Sequence, residues 1–328
     1  MQEMDRQILS SYGIDAKSIY PFREGYVINS GNAKVFVKKS EQTKERILFI
    51  HSVKEHLINK GFNRLDRFLC AEDGNPYVNY EGSIYTAVKF IDGSECNFDV
   101  RREMAAAARS LAEIHKLSNG YEPPKECQPR NDLGKIPAYF SKRLEEIKRF
   151  KRVARRGKNK FDYMFLEQVD YFLELGQSTV DVMPLDTYNK LVDNARQAGS
   201  FCHHDFTHHN LIVKSGDIFV TNFDFCCLEL KVYDITNLLR RKMRKCCWDI
   251  SEARLILDEY RKIEPINEAE FTMLKLMLQF PQKLWRVANK YYNSKRSWSE
   301  KNYLCKLQEV IDEKECHREF INRFDELL

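Results

Sequence analysis

Residues 201–213 read Phe-Cys-His-His-Asp-Phe-Thr-His-His-Asn-Leu-Ile-Val, which spaces His203, Asp205 and Asn210 as His-x-Asp-x-x-x-x-Asn. Phosphoryl transfer needs a carboxylate to accept or orient a hydroxyl proton, oxygen ligands for the metal on the phosphates, and a positioned cation. Asp205 suits the first task and is the candidate catalytic residue. Asn210 suits the second, because an amide carbonyl can ligate Mg²⁺ without the repulsion of another full charge. His203 reads as structural, bonded to the loop backbone. The motif gains specificity when a hairpin follows it with an acid near its far end.

The sequence predicts that hairpin: Asn210-Leu-Ile-Val, a turn Lys214-Ser-Gly-Asp217, then Ile218-Phe-Val-Thr. This turn sets Val213 opposite Ile218 and Asn210 opposite Thr221. The second strand then returns Thr221-Asn-Phe-Asp224 to the Asn210 end. Asn222 and Asp224 share a face, about 6.5 Å apart if the strand stays extended. Asp224 is thereby the acid near the far end of the hairpin. The other carboxylate reading gives Asp224 a structural role, answering a nearby Arg or Lys. A zinc reading would use His204 and His208, but their i,i+4 spacing needs a helix to converge on one ion, and the segment reads as a loop.

The elements that must position these residues fall into two styles. Strands and one helix account for the first 90 residues. Tyr26–Asn29 is a strand entering a turn at Ser30-Gly-Asn32, and Ala33–Lys39 alternates with Val35 and Val37 on one face. Glu45–Lys60 has helical spacing, with Gly61 as its C-terminal cap. Asp73-Gly-Asn-Pro is a turn and Ser83–Ile91 a further strand, before Asp92-Gly93 breaks the pattern as a candidate hinge. From Asp99 onward the spacing is mainly helical, interrupted only by the hairpin. The expected class is therefore α+β and bilobal, with a ligand cleft between the parts.

Composition narrows the setting. The chain has 328 residues, is 43% hydrophobic and carries 40 aromatic side chains (21 Phe, 16 Tyr, 3 Trp), ample for a large core and incompatible with disorder. No apolar run reaches the length of a membrane helix, and the start Met1-Gln-Glu-Met-Asp-Arg is not that of a secretory signal. Ten cysteines in an intracellular chain are expected to be thiols and small buried hydrophobes. The 53 basic and 48 acidic residues give a net charge of +5, yet residues 148–160 alone hold eight basic residues and no acid. So local an excess argues against nucleic acid and reads as a solvated helix end, with a polyanion or acidic partner next.

Several segments together resemble one family over nearly the whole length: Arg46-Ile-Leu-Phe-Ile-His-Ser-Val-Lys-Glu-His-Leu, Leu111-Ala-Glu-Ile-His-Lys-Leu-Ser, His203-His-Asp-Phe-Thr-His-His-Asn, Asn222-Phe-Asp-Phe-Cys, Asp234-Ile-Thr-Asn-Leu-Leu and Phe280-Pro-Gln-Lys-Leu-Trp-Arg-Val-Ala-Asn-Lys-Tyr-Tyr-Asn. They resemble the CotS family of spore coat proteins, which look like aminoglycoside- and choline-kinase-type phosphotransferases with a protein-kinase-like fold. The resemblance implies a β-rich N-lobe over 1–91 and a helical C-lobe over 92–328, the latter holding the catalytic loop 203–210 and the metal segment 222–224. It implies Lys38 on the α/β-phosphates, Lys89, Phe90 and Ile91 as the hinge along an adenine edge, and Asp234 bracing the catalytic loop. ATP and Mg²⁺ are the implied cofactors. The implied partners are a nucleotide, a small-molecule or protein hydroxyl acceptor and other spore coat proteins, with no membrane. The implied location is the mother-cell cytoplasm and then the coat.

The chain departs from the kinase pattern in three ways. Asn222 stands where a magnesium Asp is usual, and the metal ligands the resemblance implies are Asn210 with Asn222, or with Asp224 if the strand bends there. No Glu falls in register on the 45–60 helix to pair with Lys38, Glu45 and Glu55 being off register. Gly25 and Gly31 are present without GxGxxG. The resemblance therefore implies either a working kinase or a coat component that kept the fold and lost the chemistry.

Overall fold

The structure is a computed structural model that describes residues 3–31, 33–293 and 299–328. Met1 and Gln2, and Asn32 of the expected turn, lie outside the described residues. In chain order the elements begin with α1 (Glu3–Ser11), β1 (Ser18–Phe22), β2 (Gly25–Asn29), β3 (Lys34–Ser40), α2 (Lys44–Asn59), β4 (Val78–Tyr80), β5 (Ser83–Lys89), β6 (Ser94–Glu95) and α3 (Arg101–Ser118). Next come α4 (Ile136–Ala154), α5 (Lys160–Asp181), α6 (Leu185–Ala198), β7 (Leu211–Lys214) and β8 (Asp217–Val220). The rest is α7 (Val232–Met243), α8 (Ile250–Arg261), α9 (Glu268–Gln279), α10 (Gln282–Asn293), α11 (Glu300–Asp312) and α12 (Lys314–Arg323). The chain divides into two compact units. The first comprises Met1–Asn131, Ala198–Asp234 and Lys262–Glu264, and the second Asp132–Gln197, Ile235–Arg261 and Pro265–Leu328.

The first unit is built on an antiparallel five-stranded sheet, in the order β1-β2-β3-β5-β4. Strand alternation sorts β3 onto two faces. Val35 and Val37 enter a core with Ile8, Leu9, Ile28 and Ala87. Phe36, Lys38 and Ser40 point the other way, into a cavity. The α2 helix starts at Thr43, whose hydroxyl accepts the Arg46 N–H at 3.2 Å. It buries Ile47, Ile50, Val53 and Leu57 and ends before Gly61, whose φ of +95° suits glycine.

The second sheet, β6-β7-β8, contains the expected hairpin, with Val213 opposite Ile218 and Lys214 opposite Asp217. Its third strand, β6, is two residues long and pairs Ser94 with Val213. So short a strand has no periodicity to read. Gly93 precedes it because a Cβ there would meet the Val213 carbonyl oxygen at 2.4 Å.

The second unit is helical. An α4–α5 hairpin packs Phe150, Phe161, Phe165 and Phe172 against Leu284, Tyr303 and Leu307. Asn159 caps α5 by accepting the Asp162 N–H at 3.0 Å, and Asn267 with Glu270 forms a capping box on α9. One expectation is corrected here. Cys247 and Cys316, 69 residues apart in sequence, form a disulfide. Only the packing of the chain brings them together, so nothing in the cysteine spacing announces the pair. Cys96, Cys202, Cys226 and Cys227 are buried thiols, as expected.

Beside that disulfide, His317 donates from Nε2 to the Leu278 carbonyl at 3.0 Å and lies against Trp248. Burial pushes its pKa down from 6.5 to about 4. A depressed folded-state pKa means that the neutral imidazole supports the fold above the unfolded value, near 6.5. That support is lost as pH falls through the folded value. Stability is therefore expected to fall by about 3 kcal/mol between pH 7 and pH 4 on account of this group alone. In the His317→Gln variant that acid slope should flatten. Denaturant titrations of both proteins at four pH values check it, and equal slopes would remove His317 as the cause.

Candidate active site

The residues of the 203–210 loop are held by buried hydrogen bonds within the first unit. Asp234, fully buried in the first turn of α7, accepts the backbone N–H of His203 at 2.8 Å and of His204 at 2.9 Å. His115 of α3 approaches the same carboxylate at 3.4 Å. Burial opposes ionisation of Asp234, but the hydrogen bond and charge of His115 outweigh it and hold the carboxyl below its ordinary range. His203 donates from Nε2 to the Thr221 carbonyl at 3.1 Å, and its Nδ1 accepts the Asp205 N–H at 3.3 Å. Burial depresses its pKa, which fits the neutral tautomer that these two bonds require.

Asp205 and Asn210 are joined directly. The Asn210 side-chain amide donates to the Asp205 carbonyl and to Oδ2, both at 2.9 Å. The Asn210 carbonyl oxygen Oδ1 in turn accepts Nδ2 of Asn222 at 3.3 Å. The hairpin register delivers this contact, since Thr221 N–H bonds to the Asn210 backbone carbonyl at 2.8 Å.

Beyond Thr221 the extended-strand expectation fails. β8 ends at Val220, Asn222 takes a left-handed conformation (φ 61°, ψ 65°), and Phe223–Phe225 form a 3₁₀ turn. Asparagine tolerates that conformation better than most residues. The bend separates the two side chains by direction: Asn222 reaches Asn210, whereas Asp224 reaches Lys38 with a 2.6 Å ion pair. Burial works against the Lys38 ammonium, but the Asp224 carboxylate prevails and raises its pKa above the ordinary lysine value. Glu24, in the turn after β1, stands 3.6 Å from the same ammonium.

Lys38, Asn222 and Asp224 line one cavity of about 230 Å³ together with Lys89, Phe90 and Ile91. Its walls are largely apolar: Phe36, Ile50, Phe68, Val88 and Ile212 among them. Phe22 stands edge-on to both Phe36 and Phe90, with centroids 5.9 and 5.4 Å away. In the 89–91 segment the Phe90 N–H is committed to the Lys34 carbonyl at 3.0 Å and the Lys89 N–H to Arg67 at 2.8 Å. At the rim Arg23 binds Glu95 at 2.5 Å, and Glu95 binds His209 Nδ1 at 2.8 Å. His204 instead stacks on Tyr233, and His208 lies against His209 and Phe98, so His204 and His208 face different neighbours.

Three further polar residues support the site, and two of them, Lys54 and Asp66, line the cavity. Lys54 of α2 is 2% exposed, donates to the Asp66 carbonyl at 2.8 Å and forms an ion pair with Asp66 Oδ1 across 2.8 Å. The other oxygen of Asp66 accepts the Asn222 N–H at 3.0 Å. Arg46 reaches the Asp224 carbonyl at 3.0 Å and the Cys226 carbonyl as well. On this side of α2 the contacts are made by Arg46 and Lys54, and neither Glu45 nor Glu55 pairs with Lys38. Glu55 binds Arg67 at 2.6 Å, and Glu45 sits in the first turn of α2 in contact with Thr43. One signal was available for Lys54: it falls at i+4 from Ile50 and i+7 from Ile47, a core-facing position occupied by a charge. Asp66 carried none, because it arrives on an irregular stretch bridged to β8 at Leu65–Val220.

The whole chain has known relatives. The family described as "Spore coat putative kinase YutH" matches residues 5–324. Spore coat protein S of Bacillus subtilis is 25% identical over 342 aligned positions, covering 99% of this chain and 96% of the relative. Among solved structures, an aminoglycoside phosphotransferase from Alicyclobacillus acidocaldarius superposes with a TM-score of 0.86 at 18% identity, covering 99% of this chain and 96% of that one. A spectinomycin phosphotransferase in complex with ADP and spectinomycin gives 0.64 at 17% identity, covering 98% and 97%. The fold is thus that of the kinase-like phosphotransferases, and the chain belongs to the YutH family of spore coat proteins.

Proposed function

We propose that this spore coat family member binds ATP with Mg²⁺ in the cavity of its first unit and transfers the γ-phosphoryl group to a hydroxyl of a small molecule or protein. The observation that carries the reading is that Lys38, Asp224 and Asn222 line one cavity, and that Asn222 is hydrogen-bonded to Asn210, and Asn210 to Asp205, which stand behind the cavity wall and not on it. In this reading Asp205 orients the acceptor hydroxyl and takes its proton. Lys38 clamps phosphate oxygens, exchanging part of its bond to Asp224 for them. The 89–91 segment and the apolar walls receive the base. The protein would act in the spore coat among other coat proteins, as the name of its Bacillus relative suggests.

The donor set suits Mg²⁺, a hard cation that takes oxygen ligands. It comprises the Asp224 carboxylate and the amide carbonyls of Asn210 and Asn222. The Asn222 Oδ1 is buried and has no hydrogen-bond partner among the described residues, as a ligand oxygen awaiting a cation would be. Bound magnesium would offset phosphate charge beside Asp205.

A second reading rests on two residues. Asn222 brings no charge to a cation, and the Glu24 carboxylate stands beside Lys38 where phosphate would bind. Both favour a coat component that retains the fold without turnover.

Thermal unfolding with ATP, Mg²⁺, both or neither tests nucleotide use. Ligand at 100 times its Kd should stabilise the protein by about 2.7 kcal/mol. The shift should require both components and vanish in Lys38→Ala/Asp224→Ala. No shift at millimolar ATP would retire the kinase reading in favour of the second.

A further inference from the structure

The eight basic residues of 148–160 separate into two groups once folded. Lys148 binds Glu145 and Gln177, Arg149 binds Asn293, and Lys151 binds Asp170. Arg152, Arg155, Arg156, Lys158 and Lys160 are exposed and have no partner among the described residues. They sit together on the last turn of α4, the connecting loop and the first residue of α5. The acid nearest in sequence, Asp162, is turned inward: it is 3% exposed and accepts the Tyr292 hydroxyl at 2.8 Å. Among the described residues, five positive charges without an ion-pair partner therefore crowd the end of one helical hairpin.

Two features set this end apart from a merely solvated helix. Val153 and Tyr163, 46% and 59% exposed, flank the charges. Three of the five cations are arginines, whose planar fork matches carboxylates two oxygens at a time. Arginine and tyrosine beside a small apolar contact are the residue types enriched in protein interfaces. A nucleic-acid footprint would instead spread its cations along a longer track.

We propose that the α4–α5 hairpin end is a docking surface for an acidic protein segment. Carboxylates of the partner pair with Arg152, Arg155, Arg156, Lys158 and Lys160, and an apolar side chain of the partner rests on Tyr163 and Val153. This surface belongs to the second unit and is independent of the phosphotransferase reading.

A labelled dodecapeptide, Glu-Glu-Leu repeated four times, is the probe, with Lys-Lys-Leu repeated four times and a short DNA duplex as comparisons. Binding of the acidic peptide to the full chain is expected, weakened about tenfold in Arg155→Gln/Arg156→Gln/Lys158→Gln, an amount consistent with rim ion pairs. Tyr163→Ser should weaken it several-fold with no change in salt dependence. These positions are exposed, so unchanged melting temperatures would show that the variants are folded. No binding of the acidic peptide, or binding untouched by the triple substitution, overturns the proposal. So does duplex binding of equal strength that ignores Tyr163→Ser, which would mark the hairpin end as a general polyanion site.

Discussion

Asp234→Ala is expected to destabilise the first unit by about 4 kcal/mol. The carboxylate is fully buried and satisfies two backbone N–H groups, of His203 and His204, with His115 beside it. Alanine leaves both donors buried without acceptors, at about 1–3 kcal/mol each. It also leaves a cavity in a site that cannot relax, because His203 is held at Thr221 and Asp205. Asp234→Asn keeps one acceptor and should lose about half as much. The depressed pKa of Asp234 adds a sign. Its contribution is present above the unfolded aspartate value, near 3.9, and is lost as pH falls through the lower folded value. The deficit of the alanine variant should therefore be constant from pH 5 to pH 8. Urea unfolding, with amide exchange at His203 and His204, measures it. A loss below about 1 kcal/mol would mean that water replaces the carboxylate and that the loop does not depend on it.

The second large effect concerns Asp205 and assumes the proposed phosphoryl transfer. Asp205→Ala should lower turnover by about 10²–10⁴, the usual contribution of a positioned proton acceptor. The melting shift with ATP and Mg²⁺ should survive at reduced size, since Lys38 and Asp224 remain. Asn222→Asp is the informative companion. It restores a charge at the bend but removes the amide that donates to Asn210. Gained turnover from an inactive parent would favour the non-catalytic reading of the native chain. Turnover lost from an active parent would show that the amide belongs to a working site. An active protein indifferent to Asp205→Ala would sink the assignment of Asp205.

How far the fold was legible depended on how local its determinants are. The hairpin register followed from a four-residue turn and strand alternation, so Val213 met Ile218 as read. Helix α2 announced itself by its apolar spacing and the glycine at its end. The β3 faces were equally plain, because alternation dictates which side Val37 and Lys38 take. The unit boundaries are another matter. A division that returns to residues 198–234 after leaving at 131 depends on which segments pack together, and no local pattern encodes that.

The sequence by itself put forward the side chains that could do chemistry here: two carboxylates and two amides at spacings that a loop and a hairpin can gather, and a strand lysine picked out by family resemblance. Tertiary structure alone decided how they face. The bend at Asn222 arises where a parallel bridge from Leu65 runs beside β8 and Asp66 captures the Asn222 N–H. That capture turns Asp224 away from Asn222 and onto Lys38. The pairing of Lys54 with Asp66 and the Cys247–Cys316 bond likewise join residues through packing. Periodicity reports a residue's own element and the face it occupies. The partner waiting on that face comes from elsewhere in the chain, and only the folded backbone brings it there.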